Sequence, residues 1–201
     1  MAYFLIFISA IFVNNIVLSQ FLGICPFLGV SKKLDTAVGM GLAVTFVLTL
    51  ATIVTYLLQK LLVLWGLDKF LQTILFILVI AALVQMIELV LKKVSPSLYR
   101  ALGVFLPLIT TNCCILGVAI IVADPQQLLS KLPAGLGYNL LTGTLFAFAT
   151  ALGFTLALIL FAGIREQLQL NNVPKGMEGT PIALLTAGLL AMAFMGFSGV
   201  V

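Results

Sequence analysis

The chain has 201 residues, 63% of them hydrophobic and 8% charged, with a mean hydropathy of +1.29. Those values exclude a soluble globular domain and identify an all-α integral membrane protein. The net charge of +4 sits in short connections of the kind that fix membrane orientation, so it gives no argument for nucleic acid.

At about 20 residues per span, the length accommodates about six helices and no separate soluble domain. A single membrane domain over 1–201 is expected, with spans near 3–23, 36–58, 70–91, 101–122, 136–164 and 180–200. A cleavable signal peptide is not expected, because no basic stretch opens the chain and no polar mature region follows. The first charged side chain is Lys32. An uncharged run of that length is too long for one simple crossing, so it carries its own interruption. Gly23 can stop a helix, and Pro26 can begin one, since an N–H there would be unpaired anyway. Cys25 falls between them, and a helix start is where a thiolate is held most easily. Asn14 and Asn15 lie in the same span. Amides in lipid need partners, so these two are expected to join helix to helix.

Lys32, Lys33 and Asp35 mark the first connection. Lys60, Asp68 and Lys69 mark the second, with Trp65 as an interfacial anchor. Glu88, near the end of the third span, stands four residues before Lys92, the spacing of a surface ion pair. Lys92, Lys93 and Arg100 follow in the third connection, Lys131 in the fourth near Asp124-Pro125, and Arg165 and Lys175 in the fifth. In the last span Met192, Phe194, Met195 and Phe197 read as packing, while Gly188 and Gly196 permit close helix approach. The odd connections hold seven lysines and arginines and the even ones three. The positive-inside rule then places the odd connections in the cytoplasm and both termini outside.

The interrupted stretch recurs. Cys25-Pro26-Phe27-Leu28-Gly29-Val30 and Cys113-Cys114-Ile115-Leu116-Gly117-Val118 share the pattern Cys-x-x-Leu-Gly-Val, 88 residues apart. Thr110, Thr111 and Asn112 are the capping candidates before the second copy. Three spans per half invert the second half relative to the first, so the two cysteine segments enter from opposite faces. That is the arrangement of inverted repeats whose interrupted first and fourth helices meet near the midplane. The repeats are expected at about 1–95 and 96–201, although the likeness is confined to the cysteine motifs.

Two symmetry-related thiols without any histidine point to soft-metal chemistry: zinc, copper(I) or an iron–sulfur cluster. A cluster takes four cysteine ligands, so a partner must supply the other two. Cys114 reads as a small buried hydrophobe. It matches Pro26, which cannot ligate, and stands roughly 100° around a helix from Cys113. Asn14 and Asn112 read first as helix–helix joints, with donation to cluster sulfurs as a second role. Two other classes remain at this point. A secondary transporter or channel also uses inverted repeats, but calls for charged or carbonyl-lined sites that the deep segments lack. A pure scaffold leaves the cysteine repeat unexplained.

Five stretches carry a resemblance: Asn14-Asn15-x-Val-Leu, Phe21-Leu22-Gly23-x-Cys25-Pro26-Phe27, Gly29-Val30-Ser31-Lys32-Lys33, Phe105 to Cys113, and Ala193 to Gly199. They resemble the Rnf (Rsx) family of membrane subunits of ion-translocating ferredoxin:NAD oxidoreductase complexes, the A-type member most of all. The D and E subunits of the sodium-pumping NADH:quinone reductase are similarly related. The resemblance implies six helices, both termini outside, and a multi-pass protein of the bacterial inner membrane. It implies a [2Fe–2S] cluster shared with a paralogous E-type membrane subunit, Cys25 and Cys113 being this chain's two ligands. Cys114 departs from the small apolar residue common in the family. Electrons would pass between cytoplasmic iron–sulfur or flavin carriers and covalent FMN on the outer side, coupled to Na⁺ or H⁺ movement. Partners of the B, C, D and G types are implied, and the chain would not be catalytic alone.

Overall fold

The computed structural model describes residues 2–65, 71–94, 106–132, 137–170, 174 and 176–197. Among these, all regular structure is helical. Asp68, Lys69, Arg100, Lys175 and the tail from Ser198 lie outside the described residues, as does the side chain of Trp65.

Helix α1, Ala2–Ile8, runs into a π-turn at Ser9–Val13 and stops there. Its stop is made by amides. Asn14 leaves helical geometry at φ −105° and ψ 41°, and its N–H closes the π-turn on the Ser9 carbonyl at 2.7 Å. The Asn15 side-chain oxygen accepts from the N–H groups of Val17 and Leu18 at 3.1 and 3.4 Å, offering the backbone an alternative to the helix. Its amide donates to the carbonyls of Ile11 and Gly153. The first span therefore breaks at Asn14, not at Gly23 as its sequence suggested. Gly23 instead precedes the next helix, α2, Ile24–Val30.

Helix α3, Leu34–Trp65, and helix α4, Gln72–Val94, complete the first half. Helix α5, Leu106–Thr110, is separated from α6, Cys113–Ala123, by the break at Thr111-Asn112. A 103° bend at Asp124 leads into α7, Pro125–Lys131, an element that the sequence pattern does not separate from a loop. The bend has a local cause: Asp124 accepts from the Gln126 N–H, and Pro125 occupies the first turn. Helices α8, Leu140–Leu170, and α9, Thr180–Met195, follow.

Helices α3 and α8 pack along each other and form the centre of the molecule. The approach depends on small residues. A Cβ on Gly41 would collide with the Thr155 side chain, and the Thr45 and Thr155 hydroxyls lie 3.4 Å apart across the seam. Within lipid, such close backbone contact replaces the hydrophobic drive that helices lack there. Ala147, Ala151, Phe154, Ala157, Leu158 and Phe161 of α8 are all fully buried. By contrast α4 and α9 expose about half of their apolar side chains, as lipid-facing or partner-facing helices do.

Helices α3, α4 and α8 are long and apolar enough to cross a bilayer, and a fourth crossing results if α5 to α7 count as one bent span. The first segment, broken at Asn14, and α9 are shorter apolar helices. In both halves a broken element precedes a long helix and then a shorter one.

Candidate functional site

The two cysteine motifs meet. Gly23, two residues before Cys25, donates its backbone N–H to Cys113 Sγ at 2.9 Å. Gly23 adopts φ +85°, a left-handed conformation that favours glycine. A Cβ at this position would stand 2.9 Å from the Phe154 ring and 3.1 Å from Cys114 Cβ. Two residues earlier, Phe21 also adopts positive φ, +55°, with its ring largely exposed. The chain is thus turned tightly between Leu18 and Ile24 and pressed against the start of α6. Leu22 completes the contact by lying over Gly117, where a Cβ would come within 2.8 Å of its methyl.

Cys113 opens α6 and is half-buried. Of the three capping candidates before it, Asn112 takes the role. It has extended geometry at φ −71° and ψ 110°, and its side-chain oxygen accepts from the Cys114 N–H at 3.0 Å. Its Nδ2 is buried and has no partner. Thr111 turns its hydroxyl back to the Pro107 carbonyl. Cys114 is 0% exposed, which bars it from any shared site on the surface of this chain.

Cys25 lies in the first turn of α2 and is exposed. Two contacts hold α2 on α8. Phe27 stacks on Phe161 with ring centres 4.2 Å apart and planes 16° from parallel. Arg165 Nη1 donates to the Leu28 carbonyl at 2.7 Å and to the Ser31 hydroxyl at 2.9 Å. A cation at the C-terminal end of a helix satisfies carbonyls that the helix leaves unpaired. In sequence Arg165 is only a loop charge. Its role depends on a partner 137 residues away, which no local pattern announces.

The polar residues sort out clearly. Asn15 is a structural joint between the broken first segment and α8, as expected, through its 2.9 Å bond to the Gly153 carbonyl. Asn14 donates to the Ser9 hydroxyl, so its amide is already engaged within its own segment. Glu88 is half-buried on α4, one turn before Lys92. Away from the cysteines, an open cavity of about 960 Å³ lies between the end of α3 and the α6–α7 bend, lined by Gln59, Lys60, Gln72, Asp124, Gln126 and Tyr138.

Among the described residues no group of three or more histidine, cysteine or carboxylate side chains comes together. Two thiols alone, Cys25 and Cys113, are available at the surface near the Gly23 turn. This donor set fits one half of a four-thiolate site. Both atoms are soft sulfur, one is exposed, and the other already accepts a backbone N–H.

The chain matches the family model described as "Rnf-Nqr subunit, membrane protein" over residues 3–201. It is 60% identical over 198 residues to the A component of the Na(+)-translocating ferredoxin:NAD(+) oxidoreductase complex of Acetobacterium woodii, covering 96% of this chain and 95% of that one. It is 57% identical over 198 residues to the A component of the ion-translocating oxidoreductase complex of Syntrophotalea carbinolica, with coverage of 98% and 96%. The Escherichia fergusonii protein of the same description is 53% identical over 199 residues, with coverage of 99% and 97%.

Proposed function

This chain belongs to the Rnf-Nqr family of membrane subunits, and from that premise we propose that it is the A-type component of an ion-translocating ferredoxin:NAD⁺ oxidoreductase. Its part in the complex is to hold half of an intramembrane [2Fe–2S] cluster through Cys25 and Cys113. A paralogous E-type membrane subunit supplies the other two thiolates across a pseudo-twofold axis, and further Rnf subunits complete the assembly. The observation that carries this reading is the bond from Gly23 N–H to Cys113 Sγ, which draws both cysteine motifs into one place.

Bound there, the cluster supplies one-electron transfer across the bilayer, coupled to Na⁺ or H⁺ movement. The chain's own residues do the rest. Phe27 and Arg165 fix α2 at its far end, so that Cys25 is presented outward from a rigid helix. Asn112 starts α6 directly before Cys113 and so sets the direction of its thiol. Phe154, Leu22 and buried Cys114 close the space behind the turn with apolar surface and keep water from it. The unpartnered Asn112 Nδ2 remains a candidate donor toward the site. The two halves, about 1–95 and 96–201, are inverted repeats in this reading. Six segments enter the inner membrane and both termini face outside, following the charge bias of the connections.

Iron analysis tests it. The chain produced alone should bind no stable cluster, because it offers two usable thiols against a requirement for four. The complex with the E-type partner should contain iron and give the paramagnetic signal of a reduced [2Fe–2S] centre. A full cluster in the lone chain would overturn the shared-site reading. An iron-free but active ion carrier would favour the transporter class.

A further inference from the structure

We propose that the backbone N–H of Gly23 is a tuning donor to Cys113, a hydrogen bond made by one half of the chain to the ligand of the other. The inference rests on the reading of Cys113 as a cluster ligand. Its observation is independent of any relative: the donor–acceptor distance is 2.9 Å, and the turn that makes it is closed in by Phe154, Cys114 and Asn112.

Two neighbouring N–H groups behave differently. Leu22 N–H goes to the Ile16 carbonyl at 3.2 Å, and Phe27 N–H goes to the Gly23 carbonyl at 3.2 Å. Gly23 instead directs its N–H to sulfur. A neutral thiol is a weak acceptor, so a backbone donor committed to it gains little. A sulfur that carries negative charge is a strong acceptor, because charge roughly doubles the strength of such a bond. Such a donor suits the iron-bound sulfur that the proposed function assigns to Cys113. Hydrogen bonds to the sulfurs are among the factors that set a cluster's potential. An N–H dipole favours the form with the extra electron, so this bond raises the midpoint potential. Gly23 is a positioning residue in this scheme: it touches the ligand, not the reacting electron carrier.

The geometry also explains why the residue is glycine. Left-handed φ orients the N–H, and any Cβ would meet Phe154, Cys114 and the Asn112 side-chain oxygen within 3.3 Å. Gly23→Ala must therefore shift the backbone and lengthen the bond to sulfur.

The test uses the intact complex, reduced, prepared with ¹⁵N-glycine and studied by pulsed paramagnetic resonance. A hyperfine coupling from a glycine nitrogen to the cluster is expected. In Gly23→Ala the coupling should be lost or strongly weakened, and the midpoint potential should move negative with iron content retained. If that variant does not assemble, the absence of any glycine coupling in the loaded wild-type complex still overturns the inference. A loaded wild-type complex without any glycine coupling would overturn this inference while leaving the cluster reading intact. So would an unchanged coupling in an assembled Gly23→Ala complex. A complex free of iron would overturn the cluster reading and this inference with it.

Discussion

Arg165→Met removes the cation that holds the far end of α2. Two bonds are lost, both from Nη1, to the Leu28 carbonyl and the Ser31 hydroxyl. Methionine keeps most of the stem volume, but the guanidinium's place over the Phe161 ring, 5.9 Å from its centre, is lost as well. A hydrogen bond to a charged group contributes about 1.5–3 kcal/mol. Arg165 is half-buried and partly screened, so the pair together is assigned about 2–3 kcal/mol, the range of one such bond. At about 1.4 kcal/mol per factor of ten, local opening of α2 becomes about 30- to 140-fold more frequent. Amide hydrogen exchange read by mass spectrometry over residues 22–31 measures this directly. Arg165→Lys provides the control. Both bonds leave a single nitrogen, so an ammonium can make them, and its exchange should stay within about tenfold of wild type. Equal protection of this segment in Arg165→Met and wild type would refute the anchoring role. Faster exchange spread evenly over all helices would refute it as well, since it would indicate general destabilisation.

Cys25→Ser and Cys113→Ser should each abolish the cluster signal of the reduced complex, whereas Cys114→Ala should retain iron; loss in Cys114→Ala with a normal Cys113→Ser would reverse the ligand assignment. Asn15→Leu removes the bond to the Gly153 carbonyl and leaves the Val17 and Leu18 N–H groups without their side-chain acceptor, which should cost about 2–3 kcal/mol and lower the yield of folded chain in membranes. Tags at either terminus should be reached by a membrane-impermeant thiol reagent from outside intact cells, and a tag at 92–100 should not; a protected C-terminus would invert the topology.

The break before each cysteine motif and the helical class were legible because each has a local cause. Cys25 and Cys113 stand in matching six-residue motifs, and Asn112 is a cap by residue type alone. The position of the first break was not legible. Asn14 and Asn15 look like any amides in a span until the Gly153 carbonyl is seen to receive one of them. Gly23, read as a helix stop, serves at a start, because only tertiary neighbours decide which end of a helix a left-handed residue flanks. The spacing of the later helices was not legible from the cysteine motifs. The cysteines stand 88 residues apart, but α3 and α8 begin 106 residues apart. The second half carries α7 between its cysteine helix and its long helix, so the cysteine spacing does not predict where α8 begins. Arg165 could not be found at all from sequence, since an apolar span ending in arginine is the ordinary pattern of an interfacial charge.

Three ties that fix the first broken segment are made to the second half. Asn15 reaches Gly153, Gly23 reaches Cys113, and Leu28 receives Arg165, at sequence separations of 138, 90 and 137. During synthesis the segment around Cys25 therefore leaves the ribosome long before its acceptors and donors exist. At about 5–20 residues per second, the wait for α8 lasts about 7–28 s. Through that interval the Asn15 amide and the Arg165-binding carbonyl of Leu28 are without their native partners, in a setting where bare polar groups are costly. The first half must be sheltered, by water at the interface or by the insertion machinery, until α8 enters beside it. Cys25 reaches its final position only once Arg165 is in place, so the presentation of its thiol waits on a chain that has already been made nearly to its end.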